Sequence, residues 1–149
     1  IGNEEDCQKT LGIDVDVDVT SGSLEADSYR KLADEVLNAY PNLRFLAVSL
    51  RESLSADSNN WSGILADRDH FHVSRKYAIN DIVDRIGGGD SFGAGLIWGL
   101  RNLPSPREAL EFSIGASALK HTIFGDFNRL SVADVMTLVG GDGSGRVQR

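Results

Sequence analysis

The stretch Asp84-Arg85-Ile86-Gly87-Gly88-Gly89-Asp90-Ser91-Phe92 decides how this chain is interpreted. Its three consecutive glycines precede a long apolar segment, residues 90–103, whose pattern is typical of a buried helix. Glycine backbone adopts turns that are closed to other residues, so several N–H groups can point to one place. A helix beginning at Asp90 adds the positive end of its dipole there. The sequence therefore predicts an anion site, suited to phosphate, at Gly87, Gly88 and Gly89.

Asp90 brings a carboxylate to the edge of the predicted anion site. Such a carboxylate can accept the proton of a substrate hydroxyl while the hydroxyl oxygen attacks a phosphoryl group. The alternative is a plain helix cap, because Asp is a preferred N-cap residue and glycine runs are common connectors. The sequence contains no G-x-G-x-x-G and no G-x-x-x-x-G-K-[ST] pattern, which disfavours a dinucleotide-binding fold and a P-loop NTPase.

Helix and strand patterns alternate along the rest of the chain. Amphipathic periods and capping residues predict helices over residues 3–11, 27–40, 90–103, 105–122 and 131–139. Short apolar or alternating runs predict strands over residues 43–50, 61–66, 70–73 and 79–83. The segment Asp67-Arg68-Asp69 indicates a hairpin turn between two of these strands. This order of elements predicts an α/β fold with a mostly parallel sheet.

The composition is that of an ordinary globular domain. The 149 residues suffice for one domain with its own core, and 41% hydrophobic and 25% charged residues are typical values. A net charge of −7 disfavours binding to nucleic acid or to an anionic membrane surface. The sequence shows no apolar run that would span a bilayer, and its single cysteine, Cys7, favours a reducing, cytoplasmic setting.

The segment from residue 84 to residue 92 resembles the D-T-x-G-A-G-D-x-F signature of the pfkB/ribokinase family of carbohydrate kinases. The resemblance implies that Asp90 is the catalytic base and that the backbone of residues 87–89 forms the anion hole. Two positions depart from the signature: Arg85 stands for Thr, and a glycine stands for Ala. Asp84 would contribute to a monovalent-cation site of the kind that some members build, and Arg85 argues against such a site.

Three further segments resemble motifs of the family. The segment Asn3-Glu4-Glu5-Asp6 is similar to its N-x-x-E motif, which implies that Asn3 and Asp6 organise Mg²⁺, Asp6 acting through water. Residues 49–53 stand where the family turns over the nucleotide phosphates, and residues 113–122 are similar to its adenine-lining helix. The resemblance thereby implies ATP contacts for Ser49, Arg51, Ser53, Ala116 and His121.

Each of these motifs also has a purely structural interpretation. The acids after Asn3 suit the first turn of a helix, and Arg51 suits a solvated loop. Small residues around Ala116 permit tight helix packing as readily as they admit a flat base. His121 suits an ordinary helix end.

The resemblance covers essentially the whole chain and implies the C-terminal half of a ribokinase-like three-layer α/β/α fold. It implies an enzyme that uses ATP and Mg²⁺, and residues 49–53 and 125–128 resemble the branch acting on a keto-deoxy sugar acid. A kinase for fructose, ribose or a nucleoside, and a nucleotide-binding piece that is inactive alone, remain alternatives.

The ends of the chain bear on its organisation and partners. Ile1 is not Met, so we expect a piece of a longer protein. We expect one folded unit over residues 1–139 and a flexible, glycine-rich tail over residues 140–149. Because a truncated sheet leaves an open edge, the expected protein partners are the N-terminal half or further copies of the chain.

Overall fold

The computed structural model of the chain describes residues 1–3, 6–13 and 26–141. Its strands in these ranges are β1 (Gly2–Asn3), β2 (Leu46–Ser53), β3 (Asn59–Ala66), β4 (Phe71–Val73) and β5 (Tyr77–Ile79). Its α-helices are α1 (Ala26–Ala39), α2 (Gly88–Asn102), α3 (Pro106–Lys120) and α4 (Val132–Gly140), and Asp6–Thr10 forms a π-helical turn. Residues 142–149 of the predicted tail lie outside the described residues.

The described strands form one mixed sheet in the order β1-β2-β3-β4, with β5 also paired to β3. Only β1 and β2 pair in parallel, and the other three pairings among the described strands are antiparallel. The expectation of a mostly parallel sheet is therefore wrong for this part of the chain, although the α/β fold is confirmed. The reason is the connections: residues 54–58 and 67–70 are too short to join parallel neighbours, which need a crossover.

Helices cover both faces of the sheet, which gives the predicted three layers. On one face, α1 buries its apolar stripe, Tyr29, Leu32, Ala33, Val36 and Leu37, against Leu46, Val48, Leu50 and Ile64. On the other face, α2 and α3 pack their Phe92, Leu96, Leu110 and Ile114 against Ala47, Trp61, Leu65 and Tyr77. Because neighbouring residues of a strand point to opposite faces, odd-numbered positions of β2 and β3 face α2 and α3.

Helices α2 and α3 run antiparallel at close range. A Cβ atom on Gly99 would lie 2.8 Å from the Cα atom of Ala109, and one on Gly95 would lie 2.9 Å from the Cα atom of Ser113. Glycine is thus required where the two backbones meet. In the described ranges, none of the helices has the length and apolar character needed to cross a bilayer.

Two element boundaries differ from the sequence expectation. The helix expected over residues 3–11 is a short strand followed by a π-helical turn, in which Cys7 is buried. The strand expected over residues 79–83 is wrong, because β5 ends at Ile79 and a loop follows. Asp81 in that loop has a φ of 57°, a left-handed conformation that interrupts extended backbone.

The carboxyl ends of three strands meet at one edge of the sheet. β5 and β2 both run antiparallel to β3 and therefore run in the same direction, and β1 runs parallel to β2. The π-helical turn follows β1 at this edge, and the loop to α2 follows β5 there. In open α/β sheets ligands bind outside the carboxyl ends of the strands, so this edge is where a site is expected.

Candidate functional site at the N-terminus of helix α2

Helix α2 begins within the glycine run rather than after it. Gly87 is the capping residue and has a φ of 77°, a conformation that L side chains rarely adopt. A Cβ atom at this position would overlap the backbone oxygen of Asp126. Backbone conformation and close packing therefore both require glycine at position 87.

The next two glycines have different surroundings. Gly88 is buried: its carbonyl accepts a hydrogen bond from Ser117 Oγ at 2.7 Å, and a Cβ atom there would lie 3.2 Å from His121 Cε1. Gly89 is exposed, and no described atom lies within 4 Å of the position of its Cβ. The protein thus encloses Gly88 and leaves open space beside Gly89.

The open side of the first turn presents free hydrogen-bond donors. The Gly88 N–H donates to the Arg85 carbonyl at 3.3 Å, and the Ser91 N–H donates to the Gly87 carbonyl at 2.9 Å. Between them, the N–H groups of Gly89 and Asp90 have no acceptor among the described residues. Two free amides and the helix dipole form a cradle that suits an anion.

Asp90 is the third residue of α2 and is exposed to solvent beside this cradle. It does not cap the helix, because Gly87 holds the N-cap position and no side chain caps it. Among the described residues none pairs with the Asp90 carboxylate. The carboxylate is therefore available to a ligand.

Asp84 ties the loop before α2 to a distant turn. Its Oδ1 accepts a hydrogen bond from the Ile86 N–H at 3.0 Å, and its Oδ2 accepts one from the Gly125 N–H at 2.9 Å. These two bonds, and then the charge of Lys120, lower the pKa of Asp84 below its usual 3.8. Asp84 is therefore a carboxylate that fixes the loop at neutral pH.

Ser49, Arg51 and Ser53 lie on the sheet face that is covered by α2 and α3. In the register of the sheet Ser49 is opposite Gly63, Arg51 is opposite Trp61, and Ser53 is opposite Asn59. Ser49 is buried, whereas Arg51 and Ser53 are exposed at the carboxyl end of β2. The structure thus places these three residues on one face, in a row towards the edge formed by the carboxyl ends of β1, β2 and β5.

Two contacts bring the end of β2 close to the loop before α2. Arg85 donates a hydrogen bond to the carbonyl oxygen of Ala56, and the Ile82 N–H donates to the carbonyl oxygen of Asp57 at 3.1 Å. Both acceptors belong to the turn between β2 and β3. The loop and this turn therefore form a continuous rim next to the α2 N-terminus.

His121 lies between this rim and the first turn of α2. Its Nδ1 is 2.8 Å from the carbonyl oxygen of Ser117, and its ring centroid is 4.8 Å from that of Trp61. Burial lowers the pKa of His121 below 6.5, and the charges of Lys120, Arg85 and Arg51 lower it further, against the Ser117 hydrogen bond. His121 is thus a buried, neutral ring at neutral pH, with Nδ1 donating to Ser117.

The side chain of Ala116, another predicted nucleotide contact, points away from Arg51, Ser53 and His121. It packs with Phe112 and Val135 between α2, α3 and α4, and a Cβ atom on Gly95 would lie 3.4 Å from its own. Only its backbone faces the site, because its carbonyl oxygen lies 3.4 Å from Asn128 Nδ2. The Ala116 side chain therefore serves tight helix packing, which is the structural interpretation that the sequence left open for this segment.

Asn3 and Asp6 hold each other at the carboxyl end of β1. The Asn3 N–H donates to Asp6 Oδ2 at 2.9 Å, and the Asp6 N–H donates to Asn3 Oδ1 at 2.9 Å. Asn3 is in register with Ser49, and Ile1 approaches Gly93 in α2. The described residues contain no group of three or more metal-ligating side chains. One carboxylate fits a Mg²⁺ ion that keeps waters and phosphate oxygens as its other ligands.

Several residues of this site lie in segments that resemble the family, but the sequence assigns them no role. Ser117 holds the Gly88 carbonyl, Asp126 closes against Gly87, and Asn128 donates from Nδ2 to Ser91 Oγ at 3.0 Å. Each contact joins residues that are at least 29 positions apart. Their roles appear only once α3 and the turn after it are placed beside α2.

The fold is shared with carbohydrate kinases of known structure. A crystal structure of 2-dehydro-3-deoxygluconokinase from Thermotoga maritima is 41% identical, with a TM-score of 0.83, over 93% of this chain. A PfkB family carbohydrate kinase from Listeria grayi is 27% identical, with a TM-score of 0.77, over 93% of this chain. In both cases the match covers 40% of the other chain. The resemblance drawn from the sequence is thereby confirmed, and the chain spans less than half the length of these proteins. No protein-family model and no curated protein matches the chain.

Proposed function

We propose that this chain carries the phosphoryl-transfer site of an ATP-dependent carbohydrate kinase. One observation carries the proposal: the first turn of α2 offers two N–H groups and an exposed carboxylate side by side, none of which has a partner among the described residues. Phosphoryl transfer needs this pair of functions, because negative charge must be stabilised on the moving group while the attacking hydroxyl loses its proton. The kinase structures that share the fold support the same reaction class.

In the proposed mechanism the carboxylate of Asp90 accepts the proton of an acceptor hydroxyl. The hydroxyl oxygen forms the new bond to the γ-phosphorus while the bond from that phosphorus to ADP breaks. The N–H groups of Gly89 and Asp90 stabilise the transferring group, and Arg51, exposed at the end of β2, donates to phosphate oxygens. A Mg²⁺ ion held through Asp6 would neutralise further phosphate charge.

The proposed acceptor is 2-dehydro-3-deoxy-D-gluconate, which would receive the phosphoryl group at its 6-hydroxyl. Support comes from the 2-dehydro-3-deoxygluconokinase that matches at 41% identity. A panel of fructose, ribose, nucleosides and the sugar acid, assayed with the full-length protein, tests this choice. A higher kcat/KM for any other acceptor would reject the sugar acid. We further propose a cytoplasmic enzyme, in keeping with ATP use and a single buried cysteine.

Replacing Asp90 by Asn tests the catalytic base in the full-length protein. The amide cannot accept the proton, so we expect turnover to fall about 10²- to 10⁴-fold while the KM for ATP changes little. Asp34→Asn is the matched control, because Asp34 is an exposed aspartate in α1, on the opposite face of the sheet. Near-normal turnover of Asp90→Asn would reject the assignment.

A second candidate follows from the 40% coverage of the kinase chains. A chain of this length binds nucleotide without turning over if the acceptor contacts lie elsewhere in the protein. Calorimetric titration with ATP and a coupled kinase assay, both on the 149-residue chain, separate the two cases. Binding without turnover supports this candidate for the isolated chain, and turnover of the sugar acid rejects it.

A further inference from the structure

His70 and His72 form a pair of neighbouring imidazole rings at the hairpin between β3 and β4. Their ring centroids are 6.0 Å apart, and the two ring planes are parallel to within 9°. Phe71 and Val73, which alternate with them, pack against the core under α1. Because neighbouring residues of extended backbone point to opposite faces, both histidines lie on the other side of β4. The two rings therefore share one face, away from that core.

The face that carries the two histidines is open to solvent. β4 pairs only with β3 among the described strands, so it lies at an edge of the sheet. The His70 side chain is 65% exposed, and His72 is half-buried. The described residues provide no hydrogen-bond partner for the His72 ring. An ion from solvent can therefore approach both imidazoles.

Asp67 holds the His70 ring in one orientation. Its Oδ1 accepts hydrogen bonds from the backbone N–H groups of Asp69, at 2.8 Å, and of His70, at 2.7 Å, which fixes the carboxylate in the turn. The same oxygen is 3.1 Å from His70 Nδ1, so in the neutral ring Nδ1 carries the proton and the lone pair is on Nε2. Histidines that bind metals in proteins have this arrangement, with the second ring nitrogen donating to a carboxylate or carbonyl oxygen.

The spacing of the two rings fits one transition-metal ion. An imidazole nitrogen lies about 1.1 Å from the centre of its ring and about 2.1 Å from a bound Zn²⁺. Two rings on one tetrahedral Zn²⁺ therefore have centres about 5 Å apart, and rings that share an ion are never more than about 6.5 Å apart. The observed 6.0 Å lies between these values. The torsion that turns an imidazole ring is broad, so the nitrogens of these rings can turn towards a common ion.

We propose that His70 and His72 together bind one divalent transition-metal ion, with Asp67 orienting the His70 ring. Imidazole nitrogen suits Zn²⁺, Ni²⁺ and Cu²⁺, whereas Mg²⁺ and Ca²⁺ prefer oxygen ligands. The described residues contain no group of three ligating side chains, so water completes the coordination shell. The hairpin turn follows the carboxyl end of β3, which runs antiparallel to β2, so it lies at the sheet edge opposite the first turn of α2. The inference therefore does not depend on the proposed kinase function.

Titration calorimetry with ZnCl₂ tests the site in the full-length protein, without an affinity tag and without nucleotide. We expect the unaltered protein to bind one Zn²⁺ per chain more than the double variant His70→Asn/His72→Gln. Each single change should lower the affinity of this site about tenfold or more, because one ligand is lost. Asp67→Asn keeps both ligands and removes the orienting carboxylate, so we expect a loss of about tenfold.

His121→Asn is the matched control for these variants. His121 is the third histidine of the chain and is buried beneath the first turn of α2, so its loss should leave the Zn²⁺ affinity unchanged. Equal Zn²⁺ binding by the unaltered protein and the double variant would overturn the proposal, and so would the absence of binding. Full affinity after the loss of either His70 or His72 alone would show that the two rings do not share an ion.

Thermal unfolding gives an independent measure of the same site. An ion that binds only the folded protein raises its unfolding temperature by mass action. ZnCl₂ should therefore raise the unfolding temperature of the unaltered protein more than that of the double variant, whereas MgCl₂ should shift both equally. Equal shifts with ZnCl₂ would contradict the proposal. Because none of these measurements follows turnover, they decide the metal site even if Asp90→Asn refutes the kinase function.

Discussion

At the scale of single residues, the glycines of the run have different roles: Gly87 is required by the backbone, whereas Gly89 keeps the space beside the amides open. Gly89 has a conformation open to L residues and free space around it, so Gly89→Ala should leave the unfolding free energy unchanged or raise it by about 0.5–1 kcal/mol. The added methyl group would occupy part of the open space next to the Gly89 amide, where the phosphoryl group is proposed to bind. We expect a fall in kcat of about tenfold or more, measured in the full-length protein by a coupled ADP assay.

Gly87→Ala is the contrasting variant for this prediction. Its left-handed φ and the overlap with Asp126 should lower the unfolding free energy by more than about 1 kcal/mol. Gly89→Ala with unchanged turnover would show that these amides do not face the phosphoryl group. A large loss of stability in that variant would contradict the open space seen beside residue 89.

At the scale of elements, the approach of α2 to α3 limits what the helices tolerate. Gly99→Ala would place its methyl carbon 2.9 Å from the Cβ atom of Ala109 and force the backbones apart. We expect a loss of about 1–3 kcal/mol in unfolding free energy, measured by urea denaturation. On the same helix, the methyl carbon of Gly93→Ala would meet only Ile1 among the described residues, at 3.8 Å, so this change should be neutral or stabilising. Equal effects of the two changes would reject this packing.

The sequence predicts the helices and the hairpin of this fold, but it does not predict the strand directions or the long-range contacts. The helices and the hairpin after β3 follow from local patterns, and Ser105 and Ser131 cap α3 and α4 as expected. The prediction of mostly parallel strands is wrong because an apolar strand such as β2 has the same sequence pattern whether its neighbours are parallel or antiparallel. The junction of Asp84 with Gly125 joins residues 41 positions apart, and nothing local marks it.

At the scale of the whole molecule, one buried ring should make stability depend on pH. His121 keeps its ordinary pKa of 6.5 in the unfolded chain and has a lower pKa in the folded protein, mainly because it is buried. Below pH 6.5 the unfolded chain therefore binds a proton that the folded protein excludes. The stability that depends on the neutral ring is complete above 6.5 and is lost as pH falls towards the folded pKa.

This loss occurs in a pH window of its own. The pKa values of Asp84 and Asp134 are lowered from 3.8, by hydrogen bonds first of all, so their contributions disappear only in stronger acid. Urea denaturation at about pH 7.5 and about pH 5.5 should show a drop for the unaltered protein and a smaller drop for His121→Asn, which keeps a donor for Ser117 but does not titrate. Parallel pH dependences of the two proteins would mean that His121 takes up its proton equally in the folded and unfolded states. In that case the ring could not be closed off between Trp61 and the first turn of α2.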